Sequence, residues 1–238
     1  MPGKNTPVDR IDGTDIFVAI DAATGRTRWQ YEDPKGLNLY VNRKQGPENT
    51  GVAGDNRFFA MGSTGRIFAF DIPSGKLLWM KDDFPSTKKL EQTRQAAYVN
   101  GAGGGRSGIA GVAERYTPLA YLDGVVICAD NDGLYGLDAA TGRQLWVSRL
   151  NGRAPLPWRG DGGSGLVVRG CDRIAMLDVS NGKTLWEVSD FQETAMMALD
   201  GDRLLMPAVP KDAPKGSPRV VHAFQISRTG ATRLWISP

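Results

Sequence analysis

The eleven residues 19–29, AIDAATGRTRW, recur three more times in this chain of 238 residues, as AFDIPSGKLLW (69–79), GLDAATGRQLW (136–146) and MLDVSNGKTLW (176–186). Each copy has Asp third, Gly seventh, Arg or Lys eighth and Trp eleventh. A looser fifth copy, AFQISRTGATRLW (223–235), has Gln225 in place of the Asp and one extra residue on each side of Gly230. Trp29, Trp79, Trp146, Trp186 and Trp235 stand 50, 67, 40 and 49 residues apart, a period that suits one four-stranded antiparallel unit and exceeds most helical repeats. A repeat of this kind fixes the architecture, because each unit must bury its apolar face against the next.

Local chemistry explains the motif. Apolar runs such as DIFVAI, RIFAF, GLYGL and RIAML lead into it, so the chain arrives as a strand. Asp21, Asp71, Asp138 or Asp178 then accepts backbone N–H bonds to start a turn, and Gly25, Gly75, Gly142 or Gly182 supplies the positive φ that closes it. Thr24, Ser74, Thr141 or Asn181 just before the glycine offers another local hydrogen bond. Upstream of the middle copies come two further strand candidates, YTPLAYLDG then VVICADNDG before Leu134, and TGVAGD then RFFAMGS before Ile67, which makes four strands per unit. Thirty glycines and 14 prolines, spread along the chain, agree with many turns between short strands. A tryptophan on the outermost strand needs cover from its neighbour. An indole burying up to about 250 Å² is worth roughly 4 to 6 kcal/mol as an upper figure. The motif therefore reads as a joint between repeats.

At these residues the chain resembles the pyrroloquinoline quinone (PQQ)-like β-propeller repeat family, whose tryptophan-docking motif is Ala-x-Asp-x-x-Thr-Gly-Lys-x-x-Trp. The resemblance implies an all-β propeller of four-stranded antiparallel blades, with the indole of one blade packed on the glycine turn of the next: on Gly75, Gly142, Gly182 and Gly230. The expected single domain over 1–238 has a half blade at 15–32 and blades at about 49–82, 116–148, 155–188 and 195–237. Ahead of the first motif there is room for one strand, about 15–20. Seven or eight blades are usual in the family, so about four and a half read as part of a longer protein.

Composition narrows the function. A formal charge of +3 with scattered Lys and Arg lacks the concentrated basic face of a nucleic-acid binder. No apolar run nears the roughly 20 residues of a membrane-spanning helix, and MPGKNTPVDR has no secretory-signal character. The family resemblance nevertheless implies a periplasmic or extracellular site. Cys128 and Cys171 lie too far apart for paired zinc ligands and read as two buried free thiols, with a single disulfide as the alternative.

Several patterns invite a chemical reading. Gly103, Gly105 and Gly108, and again Gly160, Gly162 and Gly165, match the dinucleotide fingerprint, but neither set is followed by a helix-like period, so both read as decoys. They fall in the long connections 82–116 and 149–165, where binding residues are expected on a rigid propeller. His222, the sole histidine, aligns with Phe68 and Tyr135 and reads as structural. DNDG (130–133) reads as a hairpin turn, lacking the remaining ligands of a calcium loop. Trp158, outside the motif, is expected to cap a connection, so its loss should cost much less than the roughly 3–5 kcal/mol expected for Trp146→Ala. No catalytic or metal-ligating set is assignable and no cofactor-binding residue can be named. The reading is a non-catalytic scaffold binding a protein or small molecule through its loops. The alternative is part of a quinoprotein dehydrogenase that oxidises an alcohol or sugar with PQQ and calcium.

Overall fold

The computed structural model describes residues 10–39, 50–84, 118–130, 133–150 and 153–237. Among the described residues every regular element is a β-strand. The chain forms two compact units, Met1–Leu119 and Ala120–Pro238.

In the first unit, β1 (Arg10–Ile20) and β2 (Thr27–Leu39) form an antiparallel hairpin. Four short strands follow, β3 (Val52–Gly54), β4 (Arg57–Met61), β5 (Ile67–Asp71) and β6 (Leu77–Lys81), paired in chain order as one antiparallel sheet. The hairpin is longer than the single short strand and 15–32 half unit expected from the sequence. Its strands pair from Arg10 with Leu39 to Ile20 with Thr27, and a register shift between Gly13 and Asp15 absorbs the irregularity. Ala60, Phe68 and Phe70 pack with Phe17, Trp29, Tyr31, Phe58 and Leu77 into the core of this unit. Tilted aromatic pairs, 5.0 Å for Phe17–Phe68 and 5.3 Å for Phe17–Phe70, join hairpin to sheet.

The second unit holds three sheets. The first is β7 (Ala120–Leu122), β8 (Val125–Asp130), β9 (Gly133–Asp138) and β10 (Gln144–Ser148); the second is β11 (Arg153–Gly160), β12 (Gly163–Arg169), β13 (Ile174–Leu177) and β14 (Thr184–Val188). In the third, β15 (Phe191–Thr194) and β16 (Ala198–Asp200) both pair with β17 (Arg203–Pro210), followed by β18 (Val220–Ser227) and β19 (Gly230–Ile236). One core, with Leu122, Ile127, Leu134, Trp146, Leu166, Ala175 and Leu177, joins the first two sheets. Another, with Trp158, Val167, Met176, Phe191, Leu204, Met206 and Phe224, joins the second and third. Third strands β5, β9 and β13 are buried on both faces, apart from the half-buried Asp71 and Asp138 that end β5 and β9, which explains their near-continuous apolar runs.

The motif turn is built alike in the four close copies. Asp21 Oδ1 accepts from the amides of Ala23 (3.1 Å) and Thr24 (2.9 Å) and from the Thr24 hydroxyl (2.9 Å). Asp138 repeats this with Ala140 (3.1 Å) and Thr141 (2.8 Å to both amide and hydroxyl). Asp71 uses Ser74, and Asp178 uses the amide (2.9 Å) and hydroxyl (2.6 Å) of Ser180. In every copy the glycine amide returns to the Asp carbonyl at 2.8 Å. Asn181, at the position held by a hydroxyl residue in the other copies, accepts from the Lys183 amide at 2.9 Å, as Thr24, Ser74 and Thr141 do from the amide two residues on.

Candidate functional site

The recurring side chains meet at the joints between sheets. In the first unit, Trp29 Nε1 donates to the Ile72 carbonyl at 2.7 Å. A Cβ placed on Gly75 would lie 2.4 Å from Trp29 Cγ, so only glycine admits the indole on that turn. In the second unit, Trp146 Nε1 donates to the Val179 carbonyl at 2.7 Å, and a Cβ on Gly182 would lie 2.5 Å from its Cε3. Gly136, opposite Trp146 on β9, is equally tight from the other side, at 2.1 Å from Cε2, which leaves Trp146 only 6% exposed. In both joints the acceptor is the carbonyl one residue after the motif Asp. Trp79 packs beside Phe59 within its own unit, with ring centroids 5.8 Å apart. The expected partner of Trp79, Gly142, belongs to the second unit.

The fifth copy departs from the expectation. Trp186 does not stack on Gly230, around which a Cβ would meet nothing within 4 Å; its Nε1 donates to the Ser227 carbonyl at 2.8 Å. The inserted residues explain this. Ser227 pairs with Gly230 across a two-residue turn, Arg228 and Thr229, so the accepting carbonyl moves one residue further along and no positive-φ glycine lies beneath the indole. Arg228 takes over part of the joint, donating to Asp178 Oδ2 at 2.6 Å and to the Ser164 carbonyl. Trp235, on the outer strand β19, is 47% exposed.

Trp158 is a second correction. It does not cap a loop: it sits on β11, 2% exposed, within the core shared by the second and third sheets, and its Nε1 donates to Asp202 Oδ1 at 2.9 Å. Residues 149–165 are accordingly not one long connection, since β11 and β12 occupy most of them. Gly160, Gly162 and Gly165 lie in that hairpin, where Gly160 pairs with Gly163 and Trp158 with Gly165. Gly103, Gly105 and Gly108 fall outside the described residues, as does the 82–116 connection beyond residue 84. Asp130 pairs with Gly133 at the β8–β9 turn, with residues 131–132 outside the description. Cys128 is buried, whereas Cys171 is exposed rather than buried.

A polar clasp escaped the sequence reading. Asp33 on β2 and Arg66 form a buried ion pair, Arg66 Nε donates to Thr64 Oγ1 at 2.9 Å, and Asp15 Oδ2 accepts from the amide (2.7 Å) and hydroxyl (2.9 Å) of Ser63. A Cβ on Gly62 would lie 2.7 Å from Asp15 Oδ2, so the hairpin meets the sheet at close range. The available signal was the tripeptide STG followed by Arg66, a turn that carries its own cation. His222 is buried on β18, with its ring stacked on Phe224 at 6.3 Å and edge-on to Phe191 at 5.2 Å.

Electrostatically the motif carboxylates are committed to their turns. Hydroxyl hydrogen bonds from Thr24, Ser74, Thr141 and Ser180 are the foremost cause holding Asp21, Asp71, Asp138 and Asp178 below the ordinary carboxylate range. Burial, reinforced by Arg233, pushes the His222 imidazole below its ordinary 6.5. Among the described residues no three His, Cys, Asp or Glu side chains come together as a metal site, and no helix is long and apolar enough to cross a membrane.

The family model for outer membrane protein assembly factor BamB matches residues 110–209. No curated protein matches the chain in sequence. Among solved structures, BamB from Moraxella catarrhalis is similar at 20% identity and a TM-score of 0.53, covering 93% of this chain and 55% of that one. Quinohemoprotein alcohol dehydrogenase from Comamonas testosteroni is similar at 16% identity and a TM-score of 0.53, covering 80% of this chain and 34% of that one. A chain of the mitotic checkpoint complex, at 11% identity, has a TM-score of 0.56 over 94% of this chain and 58% of that one. This chain thus spans about half the length of BamB, and likenesses at these identities speak for fold alone. Four-stranded antiparallel sheets, indole joints and these neighbours show an all-β fold built of β-propeller-type blades, and residues 110–209 are similar to the BamB family model.

Proposed function

We propose that this chain is a non-catalytic propeller scaffold that binds a protein partner, in the sense of the words "assembly factor" in the name of BamB, in the periplasm or outside the cell. The match of that family model to residues 110–209 carries the reading. Within that span the recurring polar and aromatic side chains are occupied by architecture: Asp138 and Asp178 hold turn amides, and Trp146 is seated on Gly182. The partner is engaged through the connections between blades, with 82–116 the first region to test.

On this reading PQQ and calcium play no part. A calcium ion asks for six or more oxygen ligands, and the described carboxylates that recur are each spent on a backbone turn, so they do not fit the ion. The experiment adds PQQ and calcium to the purified chain and follows quinone absorbance and dye reduction with alcohols and aldoses. In parallel, a partner is captured and then challenged with variants in 82–116. Capture lost in those variants, with no stoichiometric quinone binding, agrees with the scaffold; dye reduction or tight quinone binding replaces it with the dehydrogenase.

A further inference from the structure

Of the four close motif turns, one carries a side-chain amide before its glycine. Thr24, Ser74 and Thr141 precede Gly25, Gly75 and Gly142, whereas Asn181 precedes Gly182. An Asn-Gly step rearranges without an enzyme, because glycine leaves its backbone nitrogen sterically open to the neighbouring side-chain carbon. At Asn181 the electrophile is prepared. The Lys183 amide donates to Oδ1 at 2.9 Å, which places an N–H where negative charge develops when a nucleophile adds to Cγ. The side chain is exposed, so water reaches it. The nucleophile, by contrast, is held. Gly182 is buried, its N–H donates to the Asp178 carbonyl at 2.8 Å, and a Cβ on it would lie 2.5 Å from Trp146 Cε3. The indole that covers it is bonded to the same turn, Trp146 Nε1 to the Val179 carbonyl at 2.7 Å.

We propose that Asn181 is a deamidation site gated by the Trp146 joint, modified only when the indole leaves Gly182. In the step the Gly182 nitrogen loses its proton and bonds to Asn181 Cγ. The Cγ–Nδ2 bond breaks and the side-chain nitrogen leaves as ammonia, giving a cyclic imide. Water then opens the imide at either carbonyl carbon, so that residue 181 becomes aspartate or isoaspartate, with no oxidant or reductant involved. Aspartate keeps an oxygen for the Lys183 amide. Isoaspartate routes the main chain through Cβ, which lengthens the turn and draws the glycine from beneath the indole. Because ammonia is lost, the turn does not return to its first state, and the modification records past openings of the joint between the first two sheets of the second unit.

The test incubates the 238-residue chain in mildly alkaline buffer, native and fully unfolded in guanidinium chloride, and digests it with trypsin. Mass spectrometry of the peptide Ile174–Lys183 reads the amide-to-acid mass gain, and labelling by an isoaspartyl methyltransferase identifies isoaspartate. The native rate is expected to be at least about tenfold below the unfolded rate, as for a reaction that waits on a local opening. With rising guanidinium below the unfolding transition, the rate is expected to climb in parallel with hydrogen exchange at the Gly182 amide. Trp146→Ala, folded by circular dichroism, is expected to bring the rate up toward the unfolded value. Asn181→Thr, the residue type of Thr24 and Thr141, is expected to remove the mass gain. Equal native and unfolded rates overturn the proposal, as does an unfolded chain whose Asn181 is never modified. A rate that does not follow Gly182 exchange, or a folded Trp146→Ala chain with the wild-type rate, overturns it too. The comparisons in guanidinium use the wild-type chain alone, so they stand if Trp146→Ala fails to fold.

Discussion

Two glycines of one unit separate the conformational requirement of the motif turn from the docking of the indole. Gly25 and Gly75 share a φ of +70° and the same 2.8 Å amide closure on the motif Asp. They differ in what lies above them: nothing within 4 Å of a Cβ on Gly25, but Trp29 Cγ at 2.4 Å and Cδ2 at 2.5 Å from a Cβ on Gly75. Replacing either by Ala places an L side chain in the left-handed region, at about 1–2 kcal/mol. At Gly75 the methyl also drives the indole off its seat, adding about 1–3 kcal/mol of overpacking and roughly 1 kcal/mol if the Trp29–Ile72 hydrogen bond is lost. Gly25→Ala is therefore expected to cost about 1–2 kcal/mol and Gly75→Ala about 2–6 kcal/mol, the excess coming from the indole alone. Urea unfolding followed by tryptophan fluorescence measures both. Equal losses at the two positions would refute the docking argument, because only the indole distinguishes them.

Other expectations are as direct. Trp146→Ala and Trp158→Ala should each cost about 3–5 kcal/mol in chemical denaturation, both being core indoles with a bonded Nε1, while Trp235→Ala should stay within about 0.5 kcal/mol. The folded-state pKa of His222 lies below 6.5, so the stability due to the neutral ring is complete above pH 6.5 and declines as pH falls through that value toward the folded pKa. Thermal melts against pH should show this decline, and His222→Phe, the residue type at the equivalent Phe68, should abolish it. The motif carboxylates are also depressed, so their contribution is present above about 3.8 and is lost only at lower pH, as a separate step. Asp33→Asn should cost about 3–5 kcal/mol by stranding Arg66 in the interior, whereas Arg28→Ala, which breaks the exposed pair with Asp21, should cost less than about 1 kcal/mol.

How much of this was legible in the sequence depended on whether the cause was local. The Asp turn was legible because every atom that makes it lies within five residues: the carboxylate, the hydroxyl, the glycine φ and the returning amide. The four-strand unit was legible because the third strand is buried on both faces and leaves an unbroken apolar run. Trp158 was not, because Pro157 and the following glycines carry the composition of a loop, yet the strand is an outer member of its sheet, where a missing N–H is tolerated. Its partner Asp202 is 44 residues away, and no periodicity marks such a pairing.

The fifth copy shows where a motif match stops short of a geometry. Its sequence has an apolar strand, a glycine and a tryptophan in the right order, which suffices to place β18 and β19 and to keep the register of Trp235 with Ala223. Docking needs more: a glycine at positive φ directly beneath the incoming indole, with an accepting carbonyl one residue past the Asp. The extra residues around Gly230 allow the strands to pair as far as Ser227 and Gly230, and the turn tightens to Arg228 and Thr229. Trp186 then finds its carbonyl one residue later, at Ser227, without a glycine seat, and a cation from the same turn reaches Asp178 across the joint. Polar contacts have replaced part of the stacking, so this joint should respond to Arg228→Ala, with a loss of about 1–3 kcal/mol for the charged hydrogen bonds, and hardly at all to Gly230→Ala. If Gly230→Ala instead matches the loss at Gly75, the indole of Trp186 is seated as in the other joints and the substitution of cation for glycine does not hold.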